Sequence, residues 1–170
     1  MRACNLFRLY NGNAALDEVK QIEDLEKVLK ENDLLRHNMV VFTDGQKALQ
    51  VLPSLINFLP EAKLNLAIYY LRNGEVSDAA EILEDLEPSA PQEYILKGIT
   101  LAINSEYSED DFNQESTIEE AKSYFQSVGT SPNEADTIPG RQCMAQFHFL
   151  QEEFNDVNVY LGSIQSYMCK

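Results

Sequence analysis

The chain has 170 residues, 44% of them hydrophobic, and carries 28 acidic against 13 basic side chains, a formal net charge of −15. That length and apolar content suffice to bury a continuous core, whereas the negative field repels phosphate backbones and anionic lipid surfaces, which argues against nucleic acid and membrane as partners. The apolar runs are too short and too interrupted to insert in a bilayer, which takes about 20 consecutive apolar residues, and no secretory segment follows Met1 and Arg2.

At the N-terminal end Phe7, Tyr10 and Val19 fit the register of a helix-pair repeat, but Glu23 and Glu26 fall where apolar residues belong. Leu16, Val19, Ile22, Leu25, Val28 and Leu29 still draw a helical apolar stripe, which predicts a helix there. From residue 48 onward a second-helix signature recurs: a small or β-branched residue, apolar residues four and seven positions later, and a proline near twelve. Ala48, Leu52, Leu55 and Pro60 give it first, and Ala79, Leu83, Leu86 and Pro91 repeat it. Ala121, Phe125 and Val128 follow with Pro132 one residue early, and Val157, Leu161 and Ile164 close the series. First helices precede these at Asn38, Ala67, Gly98 and Ala145.

The best-formed unit is residues 64–91, with Leu66, Ala67 and Tyr70 on its first helix, Gly74 at the turn, Ala79, Leu83 and Leu86 on its second, and Pro91 as the stop. Small side chains at Ala67 and Ala79 predict a close approach of the two axes. No Asn-Gly or Asp-Gly lies between alternating runs, so nothing reads as a hairpin. The fold class is therefore all-α: a tetratricopeptide-type α-solenoid of degenerate antiparallel helix pairs. Residues 1–170 are expected to form one segment of about four to five repeats, within a longer solenoid because no polar cap follows the last pair.

Charge is unevenly placed. Residues 73–136 hold 16 acidic side chains against Lys97 and Lys122 alone, and most of this reads as a solvated helix face. An acidic insertion near 105–116 lengthens the connection after the Gly98 helix. It lacks the central glycine and the alternating oxygen ligands of a calcium loop, so it is expected to be a locally disordered surface loop, with partner binding or phosphorylation at Ser105 and Ser108 as the alternative.

Catalytic and metal motifs are missing: no Walker loop, HExxH, GxSxG or GxGxxG occurs. Cys4, Cys143 and Cys169 form no CxxC and read as reduced thiols. His148 follows Cys143 by five residues, but no third residue to orient the imidazole is evident, so His148 reads as a core substitution for tyrosine and His37 as a polar contact at a helix start. The chain is expected to be no enzyme and to hold no metal or cofactor.

Several continuous strings are more specific than the repeat period: NLFRLYNGNAA at 5–15, LLRHN at 34–38, ALQVLPSLINFLPEAKLNLAIYYLRNGEV at 48–76, DLEPSAPQEYILKG at 85–98 and DTIPGRQCMA at 136–145. Together they closely resemble the intraflagellar transport protein 56 family, also called tetratricopeptide repeat protein 26 or Dyf-13, over its middle portion. The likeness runs from about Asn5 to Tyr167, with departures at 17–33 and 105–116. It implies a non-catalytic scaffold or adaptor subunit of the intraflagellar transport B complex, at the cilium or flagellum, its base and the cytoplasm. Its implied partners are other B-complex subunits and ciliary, motility-related cargo.

In such repeats the first-helix side chains line an inner groove that receives a helix or an extended peptide. The residues expected to face it are Leu64, Ile68, Leu71 and Arg72, with Arg36 and Arg141 as basic contributors; an intramolecular ion pair is the competing expectation for each arginine. A co-chaperone-like peptide clamp is the alternative function. It needs a Lys/Asn/Arg cluster to grip a terminal carboxylate, and Ile68 and Leu71 occupy much of that surface.

Overall fold

The computed structural model describes residues 1–107 and 111–168. Among them are eleven α-helices, one 3-10 turn and no strand. The helices pack mainly on their chain neighbours, as in a tetratricopeptide-type solenoid, and the chain divides into two compact units, Met1–Glu75 and Val76–Lys170.

The first unit contains α1 (Arg2–Leu9), α2 (Gly12–Val19), α3 (Leu25–Glu31), α4 (Asp33–Phe42), α5 (Ala48–Val51), the 3-10 turn Leu52–Ser54 and α6 (Pro60–Arg72). Two helices start on asparagine caps: the Asn11 side-chain oxygen accepts from the Ala14 N–H at 3.0 Å, and that of Asn32 from the Leu35 N–H at 2.9 Å. Pro60 opens α6, where its missing N–H costs no helical bond. Ala15, Val19 and Phe42 form one buried cluster, with Leu16, Leu25, Leu35 and Met39 packed against it. Ala48, Leu52, Leu55, Ala62 and Leu66 are also fully buried.

The second unit contains α7 (Val76–Leu83), α8 (Pro91–Ser105), α9 (Asp111–Gly129), α10 (Ile138–Leu150) and α11 (Phe154–Met168). Its core is Ala121, Phe125, Val128 and Cys143, flanked by Tyr94, Ile95, Ile99 and Phe147. Thr137 caps α10, its hydroxyl oxygen accepting from the Gly140 N–H at 3.1 Å.

The repeated offsets locate the core well. Ala48, Leu52, Leu55, Ala79, Leu83, Ala121, Phe125 and Val128 are all buried, whereas Leu86 falls beyond the end of α7 and is half-buried. Ala67 and Ala79 are each fully buried, in the first and second unit respectively. In the fourth match, however, Ile164 is buried while Leu161 is 46% exposed.

Four sequence expectations change. The stripe from Leu16 to Leu29 is two helices, because Asp24 adopts φ 52 and breaks the path between α2 and α3, leaving Ile22 exposed. The helix expected from Ala48 stops at Val51 and tightens into a 3-10 turn, because Pro53 lacks the N–H needed to continue it. Pro91 does not end a helix but occupies the first position of α8; α7 has already ended at Leu83. The acidic insertion is shorter as a loop than expected, since α8 extends to Ser105 and α9 begins at Asp111.

Ser105 is buried, and its hydroxyl donates to the Ala102 carbonyl at 2.7 Å, which removes it as a modification site. Ser108 and Cys169 lie outside the described residues.

Candidate functional site

Helix α6 presents its polar end to a cavity of about 400 Å³ in the first unit, lined in part by Val40, Asp44, Asn65, Ile68, Tyr69 and Arg72. Asp44 reaches this wall because the chain turns sharply after α4: Asp44 sits at φ 55, and Gly45 at φ 90, where a side chain would be strained. The Arg72 guanidinium grips the Asp44 carboxylate with both arms, at 2.6 and 3.1 Å. That hydrogen-bonded guanidinium holds the Asp44 carboxyl below the usual carboxylate range. Both side chains are largely exposed, so water and salt screen the pair, and it orients the cavity mouth more than it stabilises the fold. Ile68, 40% exposed, supplies the apolar part of the surface.

A chain of polar groups fixes the position of α6 behind this wall. Asn65 Nδ2 lies 2.9 Å from His37 Nε2, His37 Nδ1 lies 3.2 Å from Asn38 Oδ1, and Asn38 Nδ2 donates to Cys4 Sγ at 3.7 Å. The tautomer with hydrogen on Nδ1 satisfies both His37 contacts, with Asn65 donating and Asn38 accepting. His37 is thus a buried contact between α4 and α6 within the first unit, deeper than a helix start.

A second cavity of about 660 Å³ lies between α3, α4 and α5, also in the first unit. Leu29, Met39, Val40 and Val51 give it apolar walls, and Lys30, Arg36 and Lys47 line it together with a single acid, Glu26. Arg36 is anchored, donating to Asp33 at 2.9 Å and to the Ser54 hydroxyl at 3.2 Å.

The expected groove residues therefore divide. Ile68 and Arg72 share the smaller cavity and Arg36 lines the larger one; Leu64 and Leu71 are half-buried on α6 and line neither. Arg141 belongs to the second unit, where it donates to Asp136 at 3.1 Å. All three arginines are held by carboxylates. Lys30 and Lys47 were not picked out from sequence, because their convergence with Arg36 depends on how α3 and the α4–α5 turn fold onto α4.

In the second unit a cavity of about 390 Å³ is lined by Ile95, Ile99, Gln142, Gln146, Phe149 and Leu161 among others. Cys143 borders it but is buried, and burial, with the Glu134 charge as the smaller cause, pushes its thiol up to about 11. His148 is engaged elsewhere: its Nδ1 lies 2.7 Å from a Glu153 carboxylate oxygen, and its ring stacks on Tyr160 at 5.4 Å. Glu153 is the orienting residue that sequence reading missed, five positions downstream and just before α11. His148, Glu153 and Asp156 bring ligand atoms within 4.8 Å of one another. Glu153 and Asp156 are exposed and the imidazole already pairs with Glu153, so the group reads as a surface hydrogen-bonded pair at a helix start.

Two comparisons relate the chain to known proteins. The family profile described as Intraflagellar transport protein 56 matches residues 1–170. A curated relative from Caenorhabditis elegans, described as an intraflagellar transport protein 56 homolog, is 35% identical over 161 residues. That match covers 91% of this chain and 27% of the relative.

Proposed function

The chain belongs to the intraflagellar transport protein 56 family, and from that premise we propose that it is a non-catalytic scaffold subunit of the intraflagellar transport B complex, serving cilium assembly and the movement of ciliary cargo. The family match over the full 170 residues is the observation that carries this reading. The chain spans 27% of the length of the curated relative, so partners and cargo are proposals for this segment, as is its place within a longer repeat array.

The route to such a role is protein recognition. Helix pairs bury their apolar seams in each unit, while Ile68, Arg72 and the walls of the two first-unit cavities remain available to a partner. Leu64 and Leu71, half-buried on α6, and Arg141, within the second unit, are separate candidate contacts. A co-chaperone clamp fits less well, because Arg72 is gripped by Asp44 and Ile68 occupies the surface beside it, where a terminal carboxylate needs a cluster of free donors.

The test is affinity capture from ciliated-cell extract with the full chain as bait. Retention of transport-complex subunits is expected, and an Ile68→Asp variant should reduce it by placing a charge where apolar contact forms. Retention of heat-shock chaperones in their place would overturn the reading in favour of the clamp.

A further inference from the structure

The larger first-unit cavity departs from the electrostatic character of the chain around it. The unit around it holds nine basic and ten acidic residues, yet this wall carries Lys30, Arg36 and Lys47 against Glu26 alone. Among the described residues Lys30 and Lys47 enter no ion pair. The two are set by backbone, not by partners: Lys30 lies in the last turn of α3, and Lys47 adopts φ 60 just before α5. Arg36 is fixed between Asp33 and Ser54 with part of its side chain exposed. Leu29, Met39, Val40 and Val51 line the same cavity.

We propose that this cavity docks an acidic amphipathic helix from a partner protein, its apolar face on Leu29, Met39 and Val51 and its carboxylates on Lys30, Arg36 and Lys47. The proposal rests on the scaffold reading and adds the chemistry of one partner. The charges come from three separate places, α3, α4 and the turn before α5, so they match several carboxylates spaced along a helix and not the single headgroup of a lipid or fatty acid. Complementary charge steers such a helix to the site, and the apolar floor retains it.

The test uses fluorescence anisotropy with a labelled peptide of about 15 residues, carrying leucine at i, i+3, i+4 and i+7 and glutamate on the other face. Two control peptides replace leucine by serine or glutamate by lysine. The full chain is expected to bind the acidic amphipathic peptide and neither control, and the double variant Lys30→Ala/Lys47→Ala to bind it about tenfold more weakly, with helical content and melting unchanged. Equal binding by the double variant, or binding of the lysine peptide, overturns the proposal. So does binding of phosphatidylserine vesicles without binding of the acidic peptide. Should the peptide fail while capture from extract still retains transport-complex subunits, the cavity assignment falls and the scaffold reading stands; loss of capture by wild-type chain that binds the peptide has the opposite meaning.

Discussion

Cys143 shows how burial decides the chemistry of a side chain. Its sulfur lies in the core with Phe125 and Val128, and the raised thiol pKa of about 11 keeps it protonated at neutral pH. Because the thiolate is the reactive form, alkylation of the folded chain should leave the Cys143 peptide unlabelled by mass spectrometry until denaturant is added. Rapid labelling of the native protein would contradict its place in the core. The neighbouring His148 cannot rescue this reactivity, being taken by Glu153 and stacked on Tyr160. In the proposed docking cavity the lysines are of another kind: Lys30 and Lys47 are exposed, whereas Leu29, Met39 and Val51 are half-buried.

At the scale of elements, α8 depends on a reversed cap. Ala90 has no side-chain acceptor, so the Glu93 carboxylate reaches back and accepts from the Ser89 N–H at 2.7 Å, the Ser89 hydroxyl at 2.9 Å and the Ala90 N–H at 3.0 Å. These bonds, the Ser89 N–H foremost, hold the Glu93 carboxyl below the usual value of 4.5. A lowered carboxylate pKa stabilises the fold in full above the unfolded value, and that contribution is lost as pH falls through the folded one. Glu93→Gln, which keeps one acceptor oxygen but loses the charge, should therefore lower the melting temperature at neutral pH, and the melting curves of variant and wild type should converge as pH falls below 4.5. Packing of α9 makes a second prediction. Ala121 is fully buried beside Phe125, so Ala121→Leu should overpack the second unit and cost about 1–3 kcal/mol. Unchanged thermal melts would mean that α9 is packed more loosely than its burial indicates.

Across the whole molecule the two units differ sharply in charge. The first holds nine basic and ten acidic residues, the second four and 18. The near-neutral balance of the first unit lets a local basic cavity persist, whereas the second surrounds itself with a field that discourages other anions. The chain's pI is about 4.4. As pH is lowered toward that value repulsion between molecules fades, and light scattering should rise to a maximum there. Added salt at neutral pH should produce no comparable rise, because the net charge stays high.

Repeat chemistry was legible in residue order because a helix pair needs small and apolar side chains at fixed offsets, and Ala48, Ala79, Ala121, Leu83 and Phe125 obey that need locally. Family membership was legible too, in strings such as DTIPGRQCMA whose details exceed what the period demands. Helix boundaries were less so: Asp24 and Lys47 at positive φ break or restart the chain where side-chain periodicity has no voice. The cavities were beyond reach. Arg36 lines one cavity with Lys30 and Lys47, and Asp44 meets Arg72 across 28 positions, only once separate helices have folded onto one another. Sequence alone determined which faces are apolar and what repeat they build, since those are properties of neighbours along a helix. Tertiary structure alone decided that Asp44 meets Arg72 and that Lys30, Arg36 and Lys47 line one cavity, since those depend on distances between elements that no local pattern specifies.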